Sequence, residues 1–374
     1  MQKEELEKIA IEKKPGSLVV IMGELPYEEL EKHRESALAA ASKDIAIDGF
    51  RKGHVPENIL VQKIGEMPIL TEMAERALSH VYPEIVAHHT LDVIGYPQIS
   101  ITKIAKGNPL GFTITVAVVP NITLPDYFDI AKKLNATKES KEVTDEEVTT
   151  QINDILRQKI AYERLQEKAK QNAATGEHVH DEHCDHDHEH TPDAPTEDIP
   201  LPELTDAYVA TLGKPGQFTT VEDFRNKIRE HLTIEKGREV DSRHRARVTD
   251  VIAENSVVDL PQVLVDAEMG QMFAQMEEDL TRAQLKMDDY LAHMKKTKED
   301  LVKEWTPGAQ KRAKLQLILN EIAKKENIVP DPSIVDHEVS HLLEQYKDAD
   351  EKRVRVYVHS VLTNEEVLKK LEGA

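Results

Sequence analysis

The stretch Gly49-Phe50-Arg51-Lys52-Gly53-His54-Val55-Pro56 decides how the rest of this sequence is read. It sets an aromatic ring beside a guanidinium and an ammonium, frames them with two glycines and closes on a proline. Arg51 can grip a phosphate or carboxylate through two parallel N–H donors, Lys52 adds a point charge, and Phe50 can fill a pocket or stack. Gly49 and Gly53 permit backbone angles that other residues avoid, and Pro56 suits the first residue of a following helix. Such a loop can dock on a phosphate-rich or acidic surface. By composition alone it also fits an ordinary connector between helices.

Working outward, residues 6–24 pattern as strands, with Pro15-Gly16 as the turn and Leu18-Val19-Val20-Ile21-Met22 as a buried run. Pro26 opens a helical stretch with Leu30, Ala37, Leu38 and Ala41 at helical spacing, which delivers the chain to the loop. Beyond the loop, Ile59, Leu60 and Ile64, then Leu70, Met73, Ala74, Ala77, Leu78 and Val81, predict two further helices. Gln98–Thr102 and Phe112–Val116 alternate with period two and predict paired strands joined at Lys106-Gly107-Asn108. The sum is a small α+β domain over residues 1–120.

This octapeptide, with a helix before it and Glu57-Asn58-Ile59-Leu60 after it, resembles the ribosome-docking signature of bacterial trigger factor. The resemblance implies a multi-domain chain: an α+β N-terminal ribosome-binding domain, then an elongated all-α C-terminal domain with helical arms. It implies an ATP-independent chaperone that meets nascent and unfolded polypeptides beside the large-subunit exit tunnel, contacting rRNA and protein, with a homodimer off the ribosome. Gly49, Phe50, Arg51, Lys52, Gly53 and Pro56 would be its ribosome-binding residues, and no cofactor would be required.

Composition agrees with that picture in part. Charged residues make up 31% and aromatics 4% of 374 residues, which suits long solvated helices better than one compact enzyme. The formal net charge of -21 argues against DNA binding or broad nucleic-acid contact, so any RNA contact is local. Cys184 is the sole cysteine, which excludes an intrachain disulfide and suits a reducing compartment. The charged start and the lack of a long apolar run lead us to expect a soluble, cytoplasmic protein without membrane contact.

Residues 121–165 read as an extended connection followed by the first helix of the helical domain, with Thr144 and Glu147 as a capping box. In trigger factors a comparable helix leads into an FKBP-type prolyl isomerase domain. Here residues 166–200 hold no Phe, Tyr or Trp, whereas an isomerase pocket is aromatic-lined and belongs to a domain of roughly a hundred residues. We therefore expect no isomerase domain and no enzyme activity.

The interval instead carries a disordered-looking tract with His178, His180, His183, Cys184, His186, His188 and His190. Imidazole and thiolate with interleaved carboxylates suit Zn or Ni, so a metal-handling protein is one alternative; no paired-ligand spacing fixes a geometry, and a plain spacer is the other reading.

Residues 201–374 read as the helical substrate-binding domain. Thr219 with Glu222 patterns as a capping box opening a long helix whose middle, Lys236 to Arg247, looks solvated. Five of nine methionines fall between Met269 and Met294. Flexible, polarisable Met side chains can adapt to many apolar partners, so Met269, Met272, Phe273 and Met276 are candidate client-binding residues. The same spacing also fits plain core. Trp305-Thr306-Pro307 reads as a break, Asp331-Pro332 as a helix start, and Val354–Val358 alternates like a strand although the resemblance implies helix.

His337-Glu338-Val339-Ser340-His341 fits the zinc-hydrolase spacing, in which two histidines one turn apart hold metal and Glu activates water. The apolar stripe Val335, Val339, Leu342, Leu343 places those three groups toward the polar side of the helix, which argues against a metalloprotease.

Overall fold

The computed structural model describes residues 6–44, 50, 54–174, 201–214 and 217–374. They form two compact units: one runs to Tyr127 and resumes over Val251–Gly373, and the other is Phe128–Asp250 with Ala374.

The first unit begins with the hairpin β1 (Ala10–Lys14) and β2 (Leu18–Leu25), turned through Gly16 and Ser17, both at positive φ. Helices α1 (Tyr27–Glu31), α2 (Arg34–Asp44), α3 (Glu57–Ile64) and α4 (Glu66–His88) follow, then β3 (Val93–Lys103) and β4 (Leu110–Val118). The strands pair antiparallel in the order β1-β2-β4-β3. Gln98 faces Thr115 and Ile101 faces Phe112, as the period-two alternation requires. In the buried run expected at 18–22, Val19, Val20 and Ile21 are buried, while Met22 is 37% exposed.

The core of this part is one helix against one sheet. Ile69, Leu70, Met73, Ala74, Ala77, Leu78, Val81 and Ile85 recur at three- and four-residue steps along α4 and bury against Val19, Ile21, Phe112, Ile114 and Val116. A glycine suits the strand where core side chains crowd it: a Cβ at Gly23 would lie 3.1 Å from the Phe112 ring and from Ile9.

Residues 120–143 are not the continuous extended connection expected. Ile122–Thr123 (β5) pairs with Val257–Val258 (β6), and Tyr127–Asn135 forms helix α5. Tyr127 and Ala131, one turn apart, are its buried positions.

In the second unit, α6 (Asp145–Ala174) opens on the expected capping box: Thr144 N–H donates to Glu147 and Glu147 N–H to the Thr144 hydroxyl. A short α7 (Asp206–Val209) is capped by Thr205. Val148, Ile152, Leu156, Val209, Leu212 and Phe224 form the core. The cap of the long α8 (Val221–Asn255) falls one residue later than read: Asp223 N–H donates to Thr220 Oγ1, and Thr219 N–H donates to the Asp223 carboxylate. The middle of α8 is also less solvated than its charge suggested. Val240, His244 and Val248 recur every four residues and are buried, with His244 Nε2 2.7 Å from Asn135 Oδ1.

The first unit resumes with α9 (Gln262–Arg282), α10 (Met287–Met294), α11 (Lys298–Lys325), α12 (Pro332–Gln345) and α13 (Glu351–Glu372). Pro307 does not break the chain. It lies inside α11, which starts at a full Thr297/Asp300 capping box and buries Ala309 and Ala313 beyond the proline. Asp331 caps α12 with Pro332 at the first helical position, as read. The strand-like alternation at 354–358 is helix: Asp350 caps α13, and Val358, Thr363, Val367 and Leu371 bury along one side. Val358 packs with Val335 and Val339 of α12, and this tertiary contact overrides local β preference.

Candidate functional site

The basic loop leaves α2 and returns at α3. Gly49, Arg51, Lys52 and Gly53 lie outside the described residues; Phe50 is 40% exposed, large for an aromatic with no role in the core. Pro56 stands one residue before α3, and its carbonyl accepts from Ile59 and Leu60 N–H, so it launches the helix from the capping position.

The feet of this loop are fastened by residues that the sequence did not flag. Ser42, buried in the last turn of α2, accepts from Val55 N–H at 3.3 Å. At the other end of α2, Arg34 directs Nε and Nη2 to Glu57 at 2.9 and 2.7 Å, and Nη1 to Glu66 at 2.8 Å. Glu57 begins α3 and Glu66 begins α4, so one guanidinium ties together the N-termini of three helices. Carboxylates at helix N-termini are favoured by the peptide dipoles, which strengthens the arrangement. Hydrogen bonding to Glu66 raises the Arg34 pKa further, and hydrogen bonding from Arg34, then Lys106, holds the Glu66 carboxyl below its ordinary range.

The methionine-rich stretch divides between two roles. Met269 (9% exposed), Val265 and Ala309 form a small core, against which Met272, Phe273, Leu260 and Trp305 pack. The Phe273 and Trp305 rings lie 5.0 Å apart, with Lys298 Nζ 5.0 Å above Phe273. Met272 also lines, together with Met276, an open groove of about 440 Å³ with Leu280, Tyr290, Trp305 and Arg312. Of the four candidates, two line the groove and two support it. Leu280 was legible as the apolar residue one turn beyond Met276; Tyr290 and Arg312 come from α10 and α11 and carry no local signal.

His337 is 79% exposed and 3.4 Å from Glu338 of its own helix, and His341 is exposed. Among the described residues no three His, Cys, Asp or Glu side chains gather as a metal site. The seven His and Cys residues of the tract lie outside the described residues.

Against this geometry the comparisons are specific. Residues 7–155 match the family model for the bacterial trigger factor protein, and residues 220–371 match that for the trigger factor C-terminus. The chain belongs to the bacterial trigger factor family. A trigger factor of Moorella thermoacetica is 26% identical over 420 aligned positions, covering 97% of this chain and 93% of that protein. Those of Halothermothrix orenii and Bacillus pumilus are 24% and 25% identical, covering 92% and 90% of this chain and 91% of each relative. A solved structure of the trigger factor chaperone, described for promiscuous substrate recognition in folding and assembly, aligns at TM-score 0.50 and 13% identity over 98% of this chain and 99% of that one. That likeness speaks to fold: an α+β N-terminal part followed by helices, as the trigger factor resemblance implied. No helix among the described residues is long and apolar enough to cross a membrane.

Proposed function

We propose that this chain is an ATP-independent, ribosome-associated folding chaperone, with Phe50, Arg51 and Lys52 as its anchor on the large subunit near the exit tunnel. The observation that carries the reading is the Gly49–Pro56 signature, set between two fastened helices within a match to the trigger factor N-terminal family model. Emerging apolar segments would be held by weak contacts such as the Met272–Met276 groove. Anchoring supplies high effective concentration, so weak sites suffice and release needs no nucleotide. The sequence divisions at 120, 165 and 200 belong to this proposal.

The absence of isomerase activity belongs to it as well, resting on the short, aromatic-free interval 166–200 and on family matches to N- and C-terminal parts. Unchanged cis/trans rates of a prolyl test peptide are expected on adding the protein. Zn or Ni binding by His178–His190 is a separate expectation, settled by titration.

The deciding experiment is co-sedimentation with 70S ribosomes, comparing wild type with Phe50→Ala/Arg51→Ala/Lys52→Ala. Wild-type binding that the triple variant loses supports the reading. Equal binding by a folded triple variant defeats the anchor.

A further inference from the structure

We infer that Arg34 is the positioning residue of the docking loop, acting through the loop's feet without touching the partner; this deepens the ribosome-docking reading and rests on it.

The argument starts from what a loop of this kind requires. Its affinity depends on presenting a ring and two cations together, and every degree of freedom left in its stems is lost again on binding. The apolar core pins α4 well, through the stripe Ile69, Leu70, Met73, Ala74, Ala77, Leu78, Val81 and Ile85, while α2 contributes Ala37 with Leu38 half-buried beside it. The eight-residue α3 buries Leu60 fully and packs Val61 and Ile64 half-buried against the core. On so short a helix, polar contacts at its first turn add to this apolar seat in fixing where the loop returns.

Arg34 supplies them. Its side chain is 12% exposed, and its guanidinium spans from Glu57 on α3 to Glu66 on α4. Glu66 is also 3.2 Å from Lys106 Nζ in the β3–β4 turn, which ties the cluster to the sheet. Arg34 Nη1 further lies 3.9 Å from Met73 Sδ, a fully buried core residue. A planar fork with donors on two sides can serve both carboxylates at once, whereas a Lys ammonium on a flexible stem serves one well. Ser42 to Val55 closes the same span from the far end of α2.

The test uses full-length Arg34→Met, Arg34→Lys and Glu57→Gln. Glu57 is half-exposed, so its variant releases α3 while the Arg34–Glu66 pair keeps the fold. In the free protein, amide exchange at Val55, Ile59 and Leu60 should accelerate about tenfold in Arg34→Met and Glu57→Gln, with Ile114 of β4 unchanged. Affinity for 70S ribosomes should fall about tenfold in Arg34→Met and severalfold in Glu57→Gln, with part of the loss restored in Arg34→Lys. Native affinity in Arg34→Met and Glu57→Gln overturns the inference, whatever their exchange rates. Acceleration throughout the sheet in both variants overturns it too, by showing a general structural role. A wild type that does not bind ribosomes retires the docking reading and the inference with it, and is distinguished by the triple loop variant being no worse.

Discussion

Asp259 holds the turn at Ser17. Its carboxylate accepts from Gly16 N–H at 2.8 Å and Ser17 N–H at 2.6 Å, while the Ser17 hydroxyl donates to the Asp259 carbonyl at 2.6 Å. Two successive N–H groups at positive φ make a concavity suited to an anion, and here the chain provides its own.

These bonds, from Ser17 first and then Gly16, hold the Asp259 carboxyl below its ordinary range. A carboxylate with a depressed folded pKa stabilises above the unfolded value of about 3.9, and that stability disappears as pH falls through the folded pKa. Asp259→Ala should therefore lower the urea midpoint at pH 7, and the gap to wild type should close below about pH 4. A gap that persists in acid would mean that the side chain acts through packing.

Tyr127 donates its hydroxyl to Glu326, which also pairs with Lys370 at 2.7 Å, and the phenol is pushed up to about 12 by burial and then by the Glu326 hydrogen bond. Tyr127→Phe should cost about 1.5–3 kcal/mol, the range for a hydrogen bond to a charged group. A raised Tyr pKa gives stability that is complete below the unfolded value of about 10 and is lost between there and about 12. The wild-type advantage in urea unfolding should shrink over that interval.

Under the proposed function, the division within the methionine-rich stretch separates client holding from stability. Met272→Ser/Met276→Ser should reduce suppression of a model client's aggregation while leaving the thermal transition within a few degrees of wild type. Met269→Ala should lower stability by about 2–5 kcal/mol, because its side chain fills a core. Full holdase activity in the folded double variant counts against the groove.

Anchoring through Arg51 and Lys52 predicts a shallow salt dependence. Neutralising two phosphates gives a slope of about −1.5 to −2 in log affinity against log salt. The net charge of -21 offers no broad basic surface to steepen it. A slope beyond about −4 would require further cationic contacts.

Periodic information was legible: the α4 stripe, the β3–β4 register, the Thr144 and Asp331 caps and the Gly49–Pro56 signature could all be read from neighbours in sequence. What was missed is what distance hides. Arg34 meets partners 23 and 32 residues away, and β5 pairs with two residues more than a hundred positions later, too short a ladder to leave a pattern. Val354–Val358 misled because two of its valines face α12 or its neighbours while Val356 is exposed, so a helix mimicked alternation. His244 misled because charged neighbours concealed a four-residue stripe.

The Ser17–Asp259 clasp spans 242 residues of chain. At translation speeds of about 5–20 residues per second, the acceptor leaves the ribosome on the order of 10–50 s after the turn it must seize. The β1–β2 turn must therefore wait, with its N–H groups solvated, while the whole intervening unit is synthesised. Under the proposed function, this helper of newborn chains spends the first stage of its own birth without its last fastening.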